Sequence, residues 1–490
     1  MSETTTGTQP LRGISEARAF FRTNERPIYF VSPTPFNLLG IDRWVRHFGY
    51  LTWFDSFDGQ HPRVFVPKER PYREFESMED VNNHLLAHKE VIDRIERDGA
   101  GGKVCFVMFD AETERRAEEL GLQIILPPAA LRHRLDSKVV TTQIADEAGV
   151  PSVPNVLGRA SSHAEVLALA AGAGLGDDLV VQTPYGDSGK TTFFIAAERD
   201  WDRNAKDLVD QELKVMKRIR CRATAIEGAI TRCGTVVGPA MRDLTGHPEL
   251  TPYRGGWCGN DMFPDALSPE HQRLARQLTQ RLGDRLGKEG YRGFFEVDYL
   301  ADIDSGELYL GEINPRISGA TPMTNVTAAA YADMPLFMFH LLEYMDVDYE
   351  IDVGEVNERW GHSQSVDLWS QVIIKQTHDR IELVDDAPRT GVWRMDEDGT
   401  VAFGRPGTDW HSLHDESEGF FLRVTGPGDY VYKGADLGVL VTRDRMQTDD
   451  DRLTERAQHW IRGVKDRYAG SPLPEDAHSV PTASLAFKAA

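Results

Sequence analysis

The sequence predicts a protein of the α/β (α+β) class, and three observations support this prediction. Strand-like and helical segments alternate over the first 130 residues, which is typical of an open α/β sheet. A long strand–turn–strand segment lies near residue 300, and short strands with glycine turns follow residue 350. We therefore expect an N-terminal open α/β domain, a central mixed unit and a β-rich C-terminal extension.

The N-terminal sheet is expected from three apolar segments, at 25–37, 101–110 and 122–128. A helical pattern, AETERRAEELG, separates the second segment from the third, and two prolines end the third. The C-terminal residues are small or proline, a composition that favours disorder. The expected parts are a flexible lead-in (1–24), an N-terminal α/β domain (25–130), a central unit (131–350), a β-rich C-terminal domain (351–468) and a disordered tail (469–490).

Composition excludes several classes of protein. The formal net charge of −22 argues against a nucleic-acid partner, because such affinity comes largely from Lys and Arg neutralising phosphates. No apolar run approaches the roughly 18–20 residues that span a bilayer, and the N-terminus lacks the basic start and apolar stretch of a signal peptide. The four cysteines show no C-x-x-C spacing. We expect a reduced cytoplasmic protein with no membrane partner.

Two helices of the central unit carry clear end signals. The first is predicted to begin near Ser137 and to end at Gly149. The second, over 268–290, has Ser268 as a cap and proline at its first position. Its leucines recur at every fourth position, which indicates a buried stripe.

The segment YGDSGKTT (185–192) raises the question of phosphate binding. A P-loop would need glycine at position 184 and a helix after the lysine, whereas the chain has Pro184 and the strand-like TTFFIAA. The segment therefore joins two strands and is not a P-loop. Gly186 and Gly189 would still let backbone N–H groups approach a phosphate; a plain hairpin turn is the alternative.

The segment 293–319 is the most informative part of the sequence. If Asp304, Ser305 and Gly306 form a three-residue turn, counting back pairs Asp298 with Glu312 and Glu296 with Asn314. Alternation then puts these four side chains and Arg316 on one face, and Val297, Tyr299, Tyr309 and Ile313 on the core face.

Facing carboxylates repel each other, so Asp298 and Glu312 require a positive charge between them. Mg²⁺ is the natural candidate, because it binds a few carboxylate oxygens together with substrate phosphates. Asn314 would add a neutral oxygen, and Arg316 supplies a fork for a carboxylate or phosphate. The alternative is a solvated acidic face on an edge hairpin.

The motif GELYLGEINPR resembles the E-x-N-P-R signature of ATP-grasp enzymes. The lysine of LDSKVVTTQIADEAGVPSVPN, the strand–loop–strand LVVQTPYGDSGKTTFFI and the segment FFEVDYL stand in the order expected for this family, within about 130–335. The resemblance implies an ATP-grasp fold for the central unit, with ATP and Mg²⁺ as cofactors. It also implies that the YGDSGKTT loop closes over the β- and γ-phosphates.

The resemblance further implies roles for matched positions. Asp298, Glu312 and Asn314 match the magnesium ligands, and Arg316 matches a catalytic arginine near the acyl phosphate. A second nucleotide-binding lysine is replaced by Gln182, and the adenine hinge is expected near 215–219. The nucleotide-binding positions are Lys138, Gln182, Gly186, Ser188 and Gly189.

Most of this family activates a carboxylate by phosphorylation, so the expected activity joins a carboxylate to an amine such as an amino acid or small peptide. The small-molecule carboxylate and amine are the expected partners, and a homodimer is left open. Two alternatives remain: a biotin-carboxylase-like enzyme that activates bicarbonate, and a nucleotide-binding regulatory protein, suggested by Gln182. The position of the biotin carboxylases' catalytic Glu is Ala320 here, and Gly319 and Ala320 would leave space beside Arg316 for a larger carboxylate.

Overall fold

The structure is a computed structural model that describes residues 9–70, 75–99, 101–186, 191–328, 334–361 and 368–473. Its mixture of helices and strands confirms the predicted α/β class. In these ranges no helix combines the length and the apolar character needed to cross a bilayer.

The N-terminal part is built around a parallel sheet with helices on its faces. Its elements are β1 (Leu11–Arg12), α1 (Gly13–Arg22), β2 (Ile28–Ser32), β3 (Phe48–Thr52), β4 (Val64–Phe65), α2 (Met78–Ala87), α3 (Lys89–Asp98), β5 (Lys103–Cys105), α4 (Ala111–Glu119) and β6 (Gln123–Ile124). The five-stranded sheet has the order β4-β3-β2-β5-β6, and every pair is parallel. The three segments predicted as strands form β2, β5 and β6.

The central part begins with two helices and a small antiparallel sheet. These elements are α5 (Ala129–Leu135), α6 (Lys138–Ala148), β7 (Asn155–Gly158), α7 (His163–Gly172), β8 (Leu179–Gln182), β9 (Thr192–Ile195), α8 (Glu198–Leu208) and β10 (Leu213–Lys217). The sheet has the order β7-β10-β8-β9. Strands β8 and β9 pair directly, which confirms that the YGDSGKTT segment joins two strands.

The second half of the central part forms a larger antiparallel sheet packed on helices. Its elements are β11 (Cys221–Thr231), β12 (Gly234–Thr245), β13 (Trp257–Met262), α9 (Pro269–Lys288), β14 (Gly293–Asp302), β15 (Leu308–Asn314), α10 (Thr321–Val326), α11 (Leu336–Tyr344), β16 (Tyr349–Glu350) and α12 (Val353–Gly361). Leu278, Leu282 and Leu286 of α9 are buried against this sheet, which confirms the predicted stripe.

The C-terminal part is β-rich, as predicted. It contains β17 (Trp369–Lys375), β18 (Glu382–Asp386), β19 (Gly391–Met395), β20 (Val401–Arg405), β21 (Glu418–Arg423), β22 (Tyr430–Val431), β23 (Asp436–Thr442), α13 (Glu455–Lys465) and β24 (Ala469–Pro472). Strand β17 pairs with β13, so one ten-stranded sheet, β15-β14-β11-β12-β13-β17-β23-β21-β19-β20, runs through the central and C-terminal parts. The C-terminal strands are therefore an extension of the central sheet.

The ends of α6 and α9 follow the predicted signals. The hydroxyl of Ser137 accepts a hydrogen bond from the N–H of Val140, and α6 ends at Gly149 with a φ of 65°. Ser268 caps α9 in the same way, through the N–H of His271. These caps satisfy backbone donors that a helix leaves unpaired. In α6 they place Lys138 in the first turn.

Two expectations for the chain ends need correction. The lead-in expected to be flexible over 1–24 contains α1, whose Phe21 is fully buried, and β1, which pairs with β16. The amphipathic pattern of α1 was not recognised, although its apolar face packs on the core. The tail predicted as disordered over 469–490 begins with β24, which pairs with β18; residues 474–490 lie outside the described residues.

Candidate functional site

A cavity of about 310 Å³ lies between the small antiparallel sheet and the long sheet. Its lining includes β8, β9 and β10 on one side and the β14–β15 hairpin on the other. Its size is within the range of small-molecule sites. The cavity gathers five of the residues predicted as a site: Gln182, Asp298, Glu312, Asn314 and Arg316.

At the site, the β14–β15 hairpin has the predicted cross-strand pairing. Asp298 faces Glu312, and Glu296 faces Asn314. All four side chains line the cavity, while Val297, Tyr299 and Ile313 are buried in the core behind the sheet. The prediction that four polar side chains share one face is confirmed.

Nearer its turn, the hairpin differs from the prediction. Asp302, not Ile303, bonds to Glu307, so the turn is one residue longer than expected. A bulge between Asp298 and Tyr299 compensates for that residue. The bulge turns Leu308 and Leu310 to the core and leaves Tyr309 half-buried, so the prediction that Tyr309 is a core residue is wrong.

The acidic side chains of the hairpin face are crowded and largely desolvated. Burial raises the pKa of Glu296 to about 7, with Glu312 adding to the shift. Burial also raises the pKa of Asp298 well above its usual value, followed by the charges of Glu296, Asp243 and Glu312. Because each carboxylate disfavours the ionised form of its neighbours, the face is suited to a cation.

The assignment of Asp298, Glu312 and Asn314 as metal ligands stays a prediction. In the described part of the chain, no group of three or more His, Cys, Asp or Glu side chains is arranged to hold a metal ion. Asp298 and Glu312 provide two carboxylates and Asn314 an amide, whose nitrogen lies 3.4 Å from the Asp298 carboxylate. Magnesium binding here would therefore also use phosphate or water oxygens.

Lys138 reaches from α6 to the hairpin and to the predicted phosphate loop. Its Nζ lies 2.9 Å from the Glu312 carboxylate and donates to the carbonyl oxygen of Gly186 at 3.0 Å. Gly186 has a φ of 144°, and a Cβ there would lie 2.1 Å from the Thr191 side chain. The position therefore requires glycine. Ser188 and Gly189, also predicted to bind nucleotide, lie outside the described residues.

Gln182 lies in the cavity wall, and it has a lysine as its cross-strand neighbour. It faces Lys214 of β10, and its amide nitrogen donates to the Thr192 hydroxyl at 3.0 Å. Lys214 is almost fully buried, and this burial lowers its pKa to about 8. Lys214 carries no recognisable sequence signal, because a lysine in an alternating segment such as LKVMK is typical of the exposed face of a strand.

Arg316 is held at the end of the hairpin. Its guanidinium donates to the Asn314 amide oxygen at 2.9 Å, and its Nε lies 3.8 Å from the Asp136 carboxylate. The side chain is only 5% exposed, yet it lines the cavity. A charged fork that is fixed in this way can bind a carboxylate or phosphate with little further ordering.

One end of the cavity is apolar. Val153, Val180, Met216 and Ile219 line it, and Phe194 stands at its mouth with 44% of its surface exposed. Met216 and Ile219 fall within the 215–219 segment that was expected to form the adenine hinge. An apolar slot next to backbone polar groups suits a planar heterocycle.

The other end of the cavity is polar, with Trp257 among its lining residues. Asp243 lines it and accepts a hydrogen bond from Asn260 at 2.7 Å. Gln371 of β17 in turn donates to Asn260 at 2.9 Å and to the Gly319 carbonyl at 2.8 Å. The C-terminal extension thus supports this end of the cavity. Neither Asp243 nor Gln371 was identified from the sequence, since their proximity depends on the β13–β17 pairing.

The space expected beside Gly319 is occupied. A Cβ at Gly319 would lie 2.5 Å from the indole ring of Trp257, which lines the cavity. The prediction that Gly319 leaves room for a larger carboxylate is therefore wrong, because the Trp257 ring fills that space. The glycine is required because the indole packs directly on its backbone. Ala320 does line the cavity.

Because Glu227 is buried, we expect the stability of the protein to depend on pH. It is fully buried opposite Glu296, and its pKa is raised to about 8, first by burial and then by the Glu296 charge. The folded protein therefore holds this proton from about pH 4.5 to 8 while the unfolded chain loses it. The free energy of unfolding should fall as pH rises through this window.

In the wild type, Glu227 should lower the free energy of unfolding by on the order of 3 kcal/mol between pH 5 and pH 8. Glu227→Gln should remove this contribution. Chemical unfolding at a series of pH values measures it, with the exposed Glu270→Gln as the matched control. Equal pH slopes for Glu227→Gln and the wild type would contradict the assignment.

Comparisons with known proteins bear on the fold. No protein-family model and no curated protein sequence matches this chain. Among solved structures, the biotin carboxylase domain of Hydrogenobacter thermophilus 2-oxoglutarate carboxylase, in complex with MgADP, ADP and bicarbonate, is similar with a TM-score of 0.57 at 12% identity, over 91% of each chain.

Two further structures are similar to the same extent. Biotin carboxylase from Campylobacter jejuni matches with a TM-score of 0.57 at 12% identity, over 91% of this chain and 92% of that one. N5-carboxyaminoimidazole synthase from Aspergillus clavatus, in complex with ADP and 5-aminoimidazole ribonucleotide, matches with a TM-score of 0.54 at 12% identity, over 90% of this chain and 100% of that one. Together with the two facing sheets and the E-x-N-P-R hairpin at the edge of the longer one, these matches show that the chain has the ATP-grasp fold.

Proposed function

We propose that the protein is an ATP-dependent, ADP-forming ligase that activates a carboxylate as an acyl phosphate and joins it to an amine. The observation that carries this proposal is the convergence of Lys138, Arg316 and the Asp298–Glu312–Asn314 face on one cavity between two sheets. Two of the three solved structures described above contain ADP, in one case as MgADP. A small-molecule carboxylate and an amine are the proposed partners, and the homodimer remains a prediction.

Mg²⁺ fits the residues that are present. Asp298 and Glu312 place two carboxylates opposite each other on a desolvated face, and Asn314 adds an oxygen without adding charge. These three residues would hold the ion. Bound there, Mg²⁺ would neutralise charge on the transferred phosphoryl group.

The protein's own groups would bind and orient the reactants. Lys138 would exchange its contacts with Glu312 and the Gly186 carbonyl for nucleotide phosphate oxygens. Arg316 would hold the carboxylate and then the acyl phosphate, since its fork matches both geometries. The apolar end lined by Met216 and Ile219 would receive the adenine ring. In this arrangement the carboxylate would lie at the polar end, next to Arg316.

The polar end also supports an amine as the second substrate. The Asp243 carboxylate lines the cavity, close enough to Glu296 for the two charges to interact. An ammonium group would relieve that repulsion and be held near the activated carboxylate. The ammonium group would first lose one proton to water or a cavity carboxylate, because only the neutral amine can attack the carbonyl carbon. Phosphate would then leave as the carbon–oxygen bond breaks, and the new amide nitrogen would give up its second proton to phosphate or water.

Activation of bicarbonate is the second candidate, because bicarbonate is bound in the Hydrogenobacter thermophilus structure. Against it, Ala320 lines the cavity at the position where biotin carboxylases, by the sequence resemblance, have their glutamate base. An alanine cannot accept a proton, so that chemistry would lack its base.

The test is ADP formation with Mg·ATP and a panel of single amino acids, amino-acid pairs and small peptides, with bicarbonate plus free biotin as a separate arm. We expect ADP and an amide product in equal amounts with at least one amino acid or peptide. ADP formation only with bicarbonate and biotin would overturn the proposal in favour of the second candidate.

We expect Trp257 to contribute to binding of the non-nucleotide substrate. Trp257→Ala should remove one wall of the polar end, because its ring packs on Gly319 and lines the cavity. We expect KM for the non-nucleotide substrate to rise about tenfold, with the Kd for Mg·ADP unchanged. Steady-state kinetics and calorimetry measure the two constants. Trp44→Ala, at a half-buried tryptophan in the N-terminal part, is the control. An equal loss of Mg·ADP affinity would contradict the assignment.

A further inference from the structure

Lys214 is a buried cation beside the cavity, and it has no role in the reaction proposed above. Its side chain is 1% exposed, and in the described part of the chain its ammonium has one hydrogen bond, a long one of 3.3 Å to the carbonyl oxygen of Gly311. Burying a charged group is costly unless it is well paired. Such weak pairing indicates that an anion completes the site.

The position of Lys214 in the sheet directs it toward the nucleotide. It faces Gln182 in the antiparallel β8–β10 pair, and Met216 faces Val180 two residues further on. Cross-strand neighbours share a face, and Gln182, Val180 and Met216 all line the cavity, while Val215 is buried in the opposite core. The carbonyl that Lys214 contacts belongs to Gly311, another lining residue.

The charges around Lys214 also favour an anion. The groups acting on it are Glu312, Lys138 and Asp146, and Glu312 is already paired with Lys138 at 2.9 Å. Both ammonium groups therefore draw on Glu312, which acts on Lys214 more strongly than Asp146 does. If Glu312 binds a cation, Lys214 loses the stronger of the two negative charges that act on it.

We propose that Lys214 binds a phosphate group of the nucleotide and so replaces the cation that is absent at Gln182. The two positions are directly opposite, so an ammonium group from β10 can enter the space that a lysine on β8 would fill. Gln182 is tied to the Thr192 hydroxyl of β9, which leaves this space to Lys214. The inference rests on the proposed function, because it requires a nucleotide in the cavity.

The test is calorimetric binding of Mg·ADP and of adenosine to the full-length protein and its variants. Lys214→Gln should weaken Mg·ADP binding about tenfold or more, since a hydrogen bond to a charged group is lost, and should leave adenosine binding unchanged. The swap Gln182→Lys/Lys214→Gln should recover most of the affinity, because it returns the charge to the facing position. Lys206→Gln, at an exposed lysine of α8, should change neither constant.

The outcomes separate this inference from the function on which it rests. Wild-type protein that binds no Mg·ADP would overturn both. Wild-type binding with an unchanged Kd in Lys214→Gln, or an equal loss of adenosine and Mg·ADP affinity, would overturn only the role of Lys214 and would leave it as a structural bridge to Gly311. Lys214→Arg keeps the positive charge and should retain the wild-type affinity for Mg·ADP within about threefold. This variant keeps the test decisive if Lys214→Gln does not fold.

Discussion

Glu312→Gln should lower the rate of ADP formation by at least about a thousandfold while leaving the protein folded. The substitution keeps the shape of the side chain but removes one of the two facing carboxylates, and with it the charge that would hold Mg²⁺. Glu312 is 28% exposed at its side chain and lies on the cavity face, not in the core. ADP formation at saturating ATP and increasing Mg²⁺, with thermal unfolding as the check on folding, measures the effect.

The matched control is Glu307→Gln at the exposed tip of the same hairpin. It removes the same charge from the same element without touching the cavity, and it should retain full activity. Normal turnover in Glu312→Gln would show that the metal assignment is wrong, whatever the behaviour of the control.

Arg316→Lys should separate chemistry from nucleotide binding. The lysine keeps the positive charge but loses the planar fork and the hydrogen bond to Asn314, so it cannot hold the acyl phosphate in the same geometry. We expect turnover to fall about a hundredfold, with the Kd for Mg·ADP within about threefold of the wild-type value, because Arg316 is placed at the carboxylate and not at the nucleotide.

Single-turnover kinetics and calorimetry on the same preparation measure these two effects. Arg220→Lys, at an exposed arginine that pairs with Asp304, is the control. A loss of Mg·ADP affinity as large as the loss of turnover would place Arg316 in the nucleotide site instead.

The hairpin shows how far the sequence can predict this site. Counting back from an expected three-residue turn placed Asp298 opposite Glu312 and Glu296 opposite Asn314, and the structure confirms this pairing. The turn was one residue longer than expected, and the bulge after Asp298 restored the register at the site. Glycine at 306 is compatible with more than one turn length. The longer turn and the bulge that compensates for it can therefore be seen only from the pairing of the two strands.

The residues that the sequence did not reveal come from strands that only long-range pairing brings to the cavity. Lys214 lies in a short alternating strand, and its contact with the Gly311 carbonyl depends on the β14–β15 hairpin lying across the cavity from β10. Asp243 is supported through Asn260 by Gln371, which is more than a hundred residues away along the chain. The pairing of β13 with β17 makes that contact, and local propensity carries no information about which distant strands pair.

The transfer of ¹⁸O from a labelled carboxylate to phosphate distinguishes activation of a carboxylate from hydrolysis of ATP by water. In the proposed reaction a carboxylate oxygen attacks the γ-phosphorus of ATP and ADP leaves; the amine then attacks the carbonyl carbon, and the carbon–oxygen bond breaks. Pools of amino acids and small peptides with ¹⁸O-labelled carboxylates, incubated with Mg·ATP, should therefore yield phosphate carrying one ¹⁸O atom by mass spectrometry. Released phosphate whose new oxygen comes only from solvent water would contradict activation of a carboxylate in this cavity.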